Sequence, residues 1–169
     1  MFVVRGTKKI LDRVGRPATD LPESTSVLGE WYANVLLWRP QVALFVNART
    51  FLPILMPMAP AAGVVRRFPT ALAAVLSALD VDPRFIALEI AAMDHAVLAK
   101  TASRQVLGVM TEFTFMAEHS FSTGHSDLGD LLGVSCWLAD TIVGPLTKGD
   151  GHTPLGALRR LVADAIPDT

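Results

Sequence analysis

The sequence is short of almost everything that usually marks a function. It has one cysteine and one tyrosine in 169 residues, and only 18% of its side chains are charged. Cys136 alone cannot form an internal disulfide, which points to a reducing, cytoplasmic setting. No signal peptide is expected, because Arg5, Lys8 and Lys9 follow directly on Phe2-Val3-Val4. The longest nearly uncharged stretch, residues 51–65, falls short of the ~20 residues a membrane-spanning helix needs and is interrupted by Pro53, Pro57, Pro60 and Gly63. Fifteen basic residues stand against sixteen acidic ones, so the chain lacks the electrostatic footprint of a general nucleic-acid binder. There is no Gly-rich phosphate fingerprint and no recognised spacing of metal ligands, so neither a cofactor nor a metal is implied.

Apolar residues are what the chain has in quantity, at 51% of the total. A length of 169 residues suits a single domain over residues 1–169 that buries roughly two-thirds of its unfolded surface. So much apolar material also favours a homo-oligomer or a protein partner.

The pattern predicts an α+β fold, with a small, mainly antiparallel sheet of four or five strands near the N-terminus packed by several helices. Phe2 to Arg5 reads as a strand, and Thr7 stands where a helix N-cap is expected, ahead of a short helix that Gly15 stops. Residues 31–38, 41–47 and 51–56 are three β-prone runs whose short connections imply antiparallel neighbours. The middle run is apolar on both faces and should be central, whereas Pro53 makes the third an edge strand or interrupts it there. The rest is helical. A short piece over residues 61–67 precedes a helix starting near Pro69, and Asp82-Pro83 starts another whose stripe is Phe85, Ile86, Ile90 and Met93. Residues 96–101 could extend that helix or return as a strand to the sheet, and the strand is the preferred reading. Ser103 caps a helix to about His119, residues 127–143 form the next, and Thr153-Pro154 begins the last.

One oddity of charge suggests a site. Lys8 and Lys9 directly follow the expected N-cap Thr7, where the helix dipole disfavours cations by roughly 0.3–1 kcal/mol each. Lys100 and Arg104 flank Thr101 and Ser103 at another helix start. Basic side chains, hydroxyls and free backbone N–H groups together would suit an anion, and Arg5 lies close in sequence to the first group. If the two preceding strands are neighbours, both helix starts open onto one crevice. The plainer alternative is that the lysines point into solvent or pair with carboxylates such as Asp12 and Glu112. His119 and His125 carry ligand chemistry without a recognised spacing, Asp94-His95 could orient an imidazole, and Cys136 suits a small buried hydrophobe.

Two functional readings follow. The first is a non-catalytic binding or regulatory domain that holds an anionic or phosphorylated ligand through Arg5, Thr7, Lys8, Lys9, Lys100, Thr101, Ser103 and Arg104. The second is an enzyme acting on a phosphorylated small molecule or on RNA, with the same cations holding phosphate and an unassigned group doing the chemistry.

Four stretches add a resemblance. Gly6-Thr7-Lys8-Lys9-Ile10-Leu11, residues 28–34 (Leu-Gly-Glu-Trp-Tyr-Ala-Asn), residues 44–50 (Leu-Phe-Val-Asn-Ala-Arg-Thr) and Lys100-Thr101 through residues 106–113 (Val-Leu-Gly-Val-Met-Thr-Glu-Phe) resemble an uncharacterised bacterial family, a domain of unknown function. The resemblance implies relatives of similar length and brings no established activity. Where those relatives often carry Asn, this chain has Ser103-Arg104-Gln105 and Thr111.

Overall fold

A computed structural model describes residues 1–146 and 151–167. Among them are five strands in one sheet and six helices: β1 (Phe2–Gly6), α1 (Lys8–Val14), β2 (Trp31–Leu36), β3 (Val42–Asn47), β4 (Pro53–Pro57), α2 (Val64–Ala78), α3 (Pro83–Ala92), β5 (Ala96–Lys100), α4 (Arg104–Ser122), α5 (Leu131–Ala139) and α6 (Pro154–Ala165). The sheet order is β4-β3-β2-β1-β5. The short connections after β2 and β3 give antiparallel pairs, as their lengths require. β1 instead pairs parallel on both sides, with β2 and with β5, so the sheet is mixed where a mainly antiparallel one was expected. Each parallel neighbour is reached by a crossover, and the sequence signals of a crossover are too dispersed to fix its partner.

Alternation along the strands builds two cores. Phe2 and Val4 of β1, Trp31, Ala33 and Val35 of β2, and Ala43 and Phe45 of β3 face α1, α2, α3 and α6. On that side Phe68 of α2 stacks on Phe45, with ring centroids 4.2 Å apart, and meets Trp31 edge-on at 4.8 Å. Tyr32, Leu36, Leu44 and Val46 face the opposite way, against Val106, Val109, Met110 and Phe113 of α4. Every residue of β3 is buried, as its two-sided apolarity predicted.

Two helices depart from their expected bounds. α2 runs through Pro69 without restarting, because Phe68, Leu72, Val75 and Leu76 bury one continuous stripe that offsets the missing backbone donor. α5 is shorter than residues 127–143: Asp127 Oδ1 accepts from Gly129 N in a turn, and the cap is Asp130, whose Oδ1 accepts from Gly133 N at 2.9 Å. Asp82, Ser103 and Thr153 cap α3, α4 and α6 as read from the sequence.

Two buried polar groups hold the layers together. Glu89 is fully buried in α3, in the middle of its apolar stripe, and its carboxylate accepts from Ser26 Oγ, from Val27 N at 2.7 Å and from Leu28 N. It thereby fixes the loop that feeds β2. At the far edge of the sheet, the outward N–H of Leu55 in β4 donates to Ser135 Oγ of α5 at 2.8 Å, and Ser135 in turn donates to Leu131 O. A helix hydroxyl thus closes an edge strand that Pro53 and Pro57 already blunt.

Ser135→Ala leaves the buried Leu55 N–H without its acceptor and is expected to cost about 1–3 kcal/mol, read as a lower urea midpoint at unchanged slope. An unchanged midpoint would remove the edge-closing role. Glu89→Ala strands three donors at once, so a loss of at least about 2 kcal/mol is expected in the same assay; wild-type stability in that variant would mean that the loop is held by other contacts.

Candidate functional site

β1 and β5 lie side by side and parallel, with Gly6 opposite Lys100 at their carboxyl ends. The chain leaves β1 into α1 on one face of the sheet and leaves β5 towards α4 on the other. Adjacent parallel strands whose following helices depart to opposite faces leave a crevice between their ends, the position where open sheets containing parallel strands bind ligands. A groove of about 870 Å³ starts at these strand ends and runs along α1 to the loop after it, walled by Gly6, Lys8, Leu11, Asp12, Arg13, Val14, Gly15, Arg16, Pro17, Lys100 and Thr101.

The turn from β1 into α1 is tight. A Cβ on Gly6 would come within 2.8 Å of Leu11 Cγ and 2.9 Å of Ile10 Cγ2, so a larger residue there would have to displace both side chains. Gly15 ends α1 at a φ of 142°, outside the left-handed helical region expected for it, and leads into a loop whose Ala18 N–H donates to Leu98 O on the outer edge of β5 at 2.8 Å.

The residues singled out from the sequence divide into three groups. Lys8, Lys100 and Thr101 come together on the groove wall, joined by Arg13 and Arg16. Arg5 is committed elsewhere: Nε and Nη2 donate to the Glu30 carboxylate at 2.6 and 3.1 Å, and Nη1 donates to Lys100 O at 3.0 Å. Its guanidinium pKa is raised, first by the hydrogen bond to Glu30. Thr7 and Ser103 are also committed, and Thr7 holds the N-cap position of α1 without a side-chain capping bond. The Thr7 hydroxyl donates to Asn34 Oδ1 at 2.6 Å, whereas Ser103 Oγ accepts from Val106 N. Lys9 and Arg104 are exposed and lie outside the groove wall.

Four cations and one carboxylate therefore line the groove. Lys8 Nζ sits 2.7 Å from Asp12 Oδ2, the plainer pairing foreseen for it, and both side chains are largely exposed. Such a pair is screened by water and opens at little cost. Arg13 Nη1 donates to Gln41 Oε1. Arg13 and Arg16 were not proposed from sequence, although five basic residues against one acid in the first sixteen positions already marked the segment.

The remaining candidates are weaker. His119 and His125 share a cleft of about 660 Å³ with Asp127, Asp130 and Trp137, yet among the described residues no three His, Cys, Asp or Glu side chains could hold a metal ion. Asp94 meets both the Met1 ammonium, at 2.8 Å, and His95 Nδ1, at 3.1 Å, which together pull its carboxyl down to about 2. Cys136 is half-buried, and burial raises its thiol pKa. Among the described residues no helix is long and apolar enough to cross a membrane.

A family model described as a domain of unknown function matches residues 3–154. No curated protein and no solved structure matches the chain.

Proposed function

The chain belongs to the family so described, DUF6933, which lends it no activity, and from the geometry we propose a non-catalytic binding or regulatory domain that holds an anionic, phosphate-bearing ligand in the crevice between the ends of β1 and β5. The observation that carries this reading is the register of Gly6 against Lys100, which sets Lys100 and Thr101 beside Lys8 although the two groups are far apart in sequence. The groove is cationic on balance, with Lys8, Arg13, Arg16 and Lys100 outweighing Asp12, and an arriving anion competes with Asp12 for Lys8. We assign this binding role to a cytoplasmic, bacterial setting; the lone Cys136 fits its reducing conditions.

An enzyme acting on a phosphorylated small molecule or on RNA would need a proton-transfer group at the same place. Of the groove's side chains, Asp12, Lys8 and Lys100 are able to move a proton, and among the described residues none of them is hydrogen-bonded to a nucleophile. The binding reading asks less of the site.

Thermal-shift titration of the full chain with inorganic phosphate and pyrophosphate tests the reading. Both ions are expected to raise the melting temperature, and Lys8→Ala/Lys100→Ala is expected to abolish most of the rise, with Arg104→Ala affecting it less. An equal rise in wild type and the double variant would move the ion elsewhere and remove the site.

The same reading includes a homo-oligomer or protein partner. Phe115 on α4 and Ile142 beyond α5 are 71% and 76% exposed, a cost that association would remove. Light scattering on a size-exclusion column is expected to give more than the monomer mass of 18.2 kDa. A clean monomer at micromolar concentration, with no protein recovered by pull-down, would count against association.

A further inference from the structure

We infer that the ligand of the β1–β5 crevice is a mononucleotide, an inference that rests on the anion-binding reading above and narrows it. The groove is far larger than a phosphate ion requires. At about 870 Å³ it falls in the range of pockets that enclose small organic molecules. Its wall combines two chemistries. Leu11, Val14 and Pro17 are half-buried and offer an apolar surface, whereas Lys8, Arg13, Arg16 and Lys100 are exposed cations. A bare phosphate would satisfy the lysines and leave the apolar surface wet.

A mononucleotide uses each part. Its base is flat and weakly hydrated on its faces, so it covers the Leu11, Val14 and Pro17 surface with a gain that scales with the area removed from water. Its phosphate neutralises Lys8 and Lys100. Its ribose hydroxyls are donors, and Asp12, the groove's one carboxylate, is an acceptor that loses Lys8 when the phosphate arrives. The displaced carboxylate therefore gains a partner in the same event. A ligand made only of phosphate and sugar would leave the apolar wall unused, and one made only of base and sugar would leave the cations unpaired.

Isothermal titration of the full chain with AMP, GMP, CMP, UMP, ribose 5-phosphate, inorganic phosphate and adenosine separates these contributions. At least one mononucleotide is expected to bind ten-fold or more tightly than ribose 5-phosphate, with ribose 5-phosphate tighter than inorganic phosphate. Lys8→Ala/Lys100→Ala should weaken that mononucleotide by ten-fold or more and leave adenosine unchanged. Ribose 5-phosphate binding as tightly as every mononucleotide would overturn the nucleotide assignment while the anion reading stood. Failure of every phosphate-bearing compound to bind would overturn both. Mononucleotide binding that survives the double variant would overturn the assignment to this crevice.

Discussion

Parallel pairing on both sides of β1 is the constraint from which the architecture follows. Parallel neighbours cannot be joined by a tight turn, so each must be reached by a crossover, and here the helices after β1 and β5 go to opposite faces of the sheet. α1 takes the face built on Trp31 and Phe68, and α4 takes the face built on Tyr32 and Leu44. The antiparallel run from β2 to β4 then extends the sheet in one direction only. The crevice is a by-product of that layout: it starts where two parallel strands end and follows α1 along its length.

Much of this was legible in the sequence where the determining contacts are local. Three β-prone runs with short connections could hardly pair except as hairpins, and the double-sided apolarity of residues 42–47 marked a central strand. Asp82, Ser103 and Thr153 act as caps because a cap needs only the next few backbone groups. The failures are non-local. Thr7 holds the N-cap position read for it, but Asn34 of β2 claims the hydroxyl expected to cap, a competitor that is near only after β1 and β2 have paired. The parallel partners of β1 were hidden for the same reason. Lys8, Lys100 and Thr101 emerged from their positions around helix starts, whereas Arg13 and Arg16 sit where cations are ordinary and showed only in the basic excess of the first sixteen residues. Glu89 was visible in principle: its spacing from Phe85 and Met93 places it on the buried stripe, and a carboxylate there must be met by donors.

The stretches that carried the family resemblance turn out to be joined in space. Asn47 Nδ2 donates to Leu28 O at 2.9 Å, and its Oδ1 accepts from the backbone of Arg49 and Thr50. That support holds the turn firmly enough for Phe51 to sit at a φ of 59°. Arg49 Nη1 donates to Val27 O, Thr7 reaches Asn34, and Arg5 links Glu30 to the carbonyl of Lys100. These side chains set strand ends relative to one another, which is a scaffolding task. They explain why an Asn, an Arg and a Glu occupy such positions without requiring that any of them touch a ligand.

The two rims of the sheet are guarded unequally. β4 is closed by a serine on α5, a helix that itself packs into the core, so exposing that rim means dismantling part of the molecule. β5 is covered by an irregular loop through the Ala18 N–H, in a segment whose side chains from Ala18 to Glu23 are exposed. Free energies of local opening scale with what must be unpacked. Amide hydrogens along β5 are therefore expected to exchange with solvent ahead of those along β4, and a ligand that bridged Lys8 and Lys100 would slow that exchange.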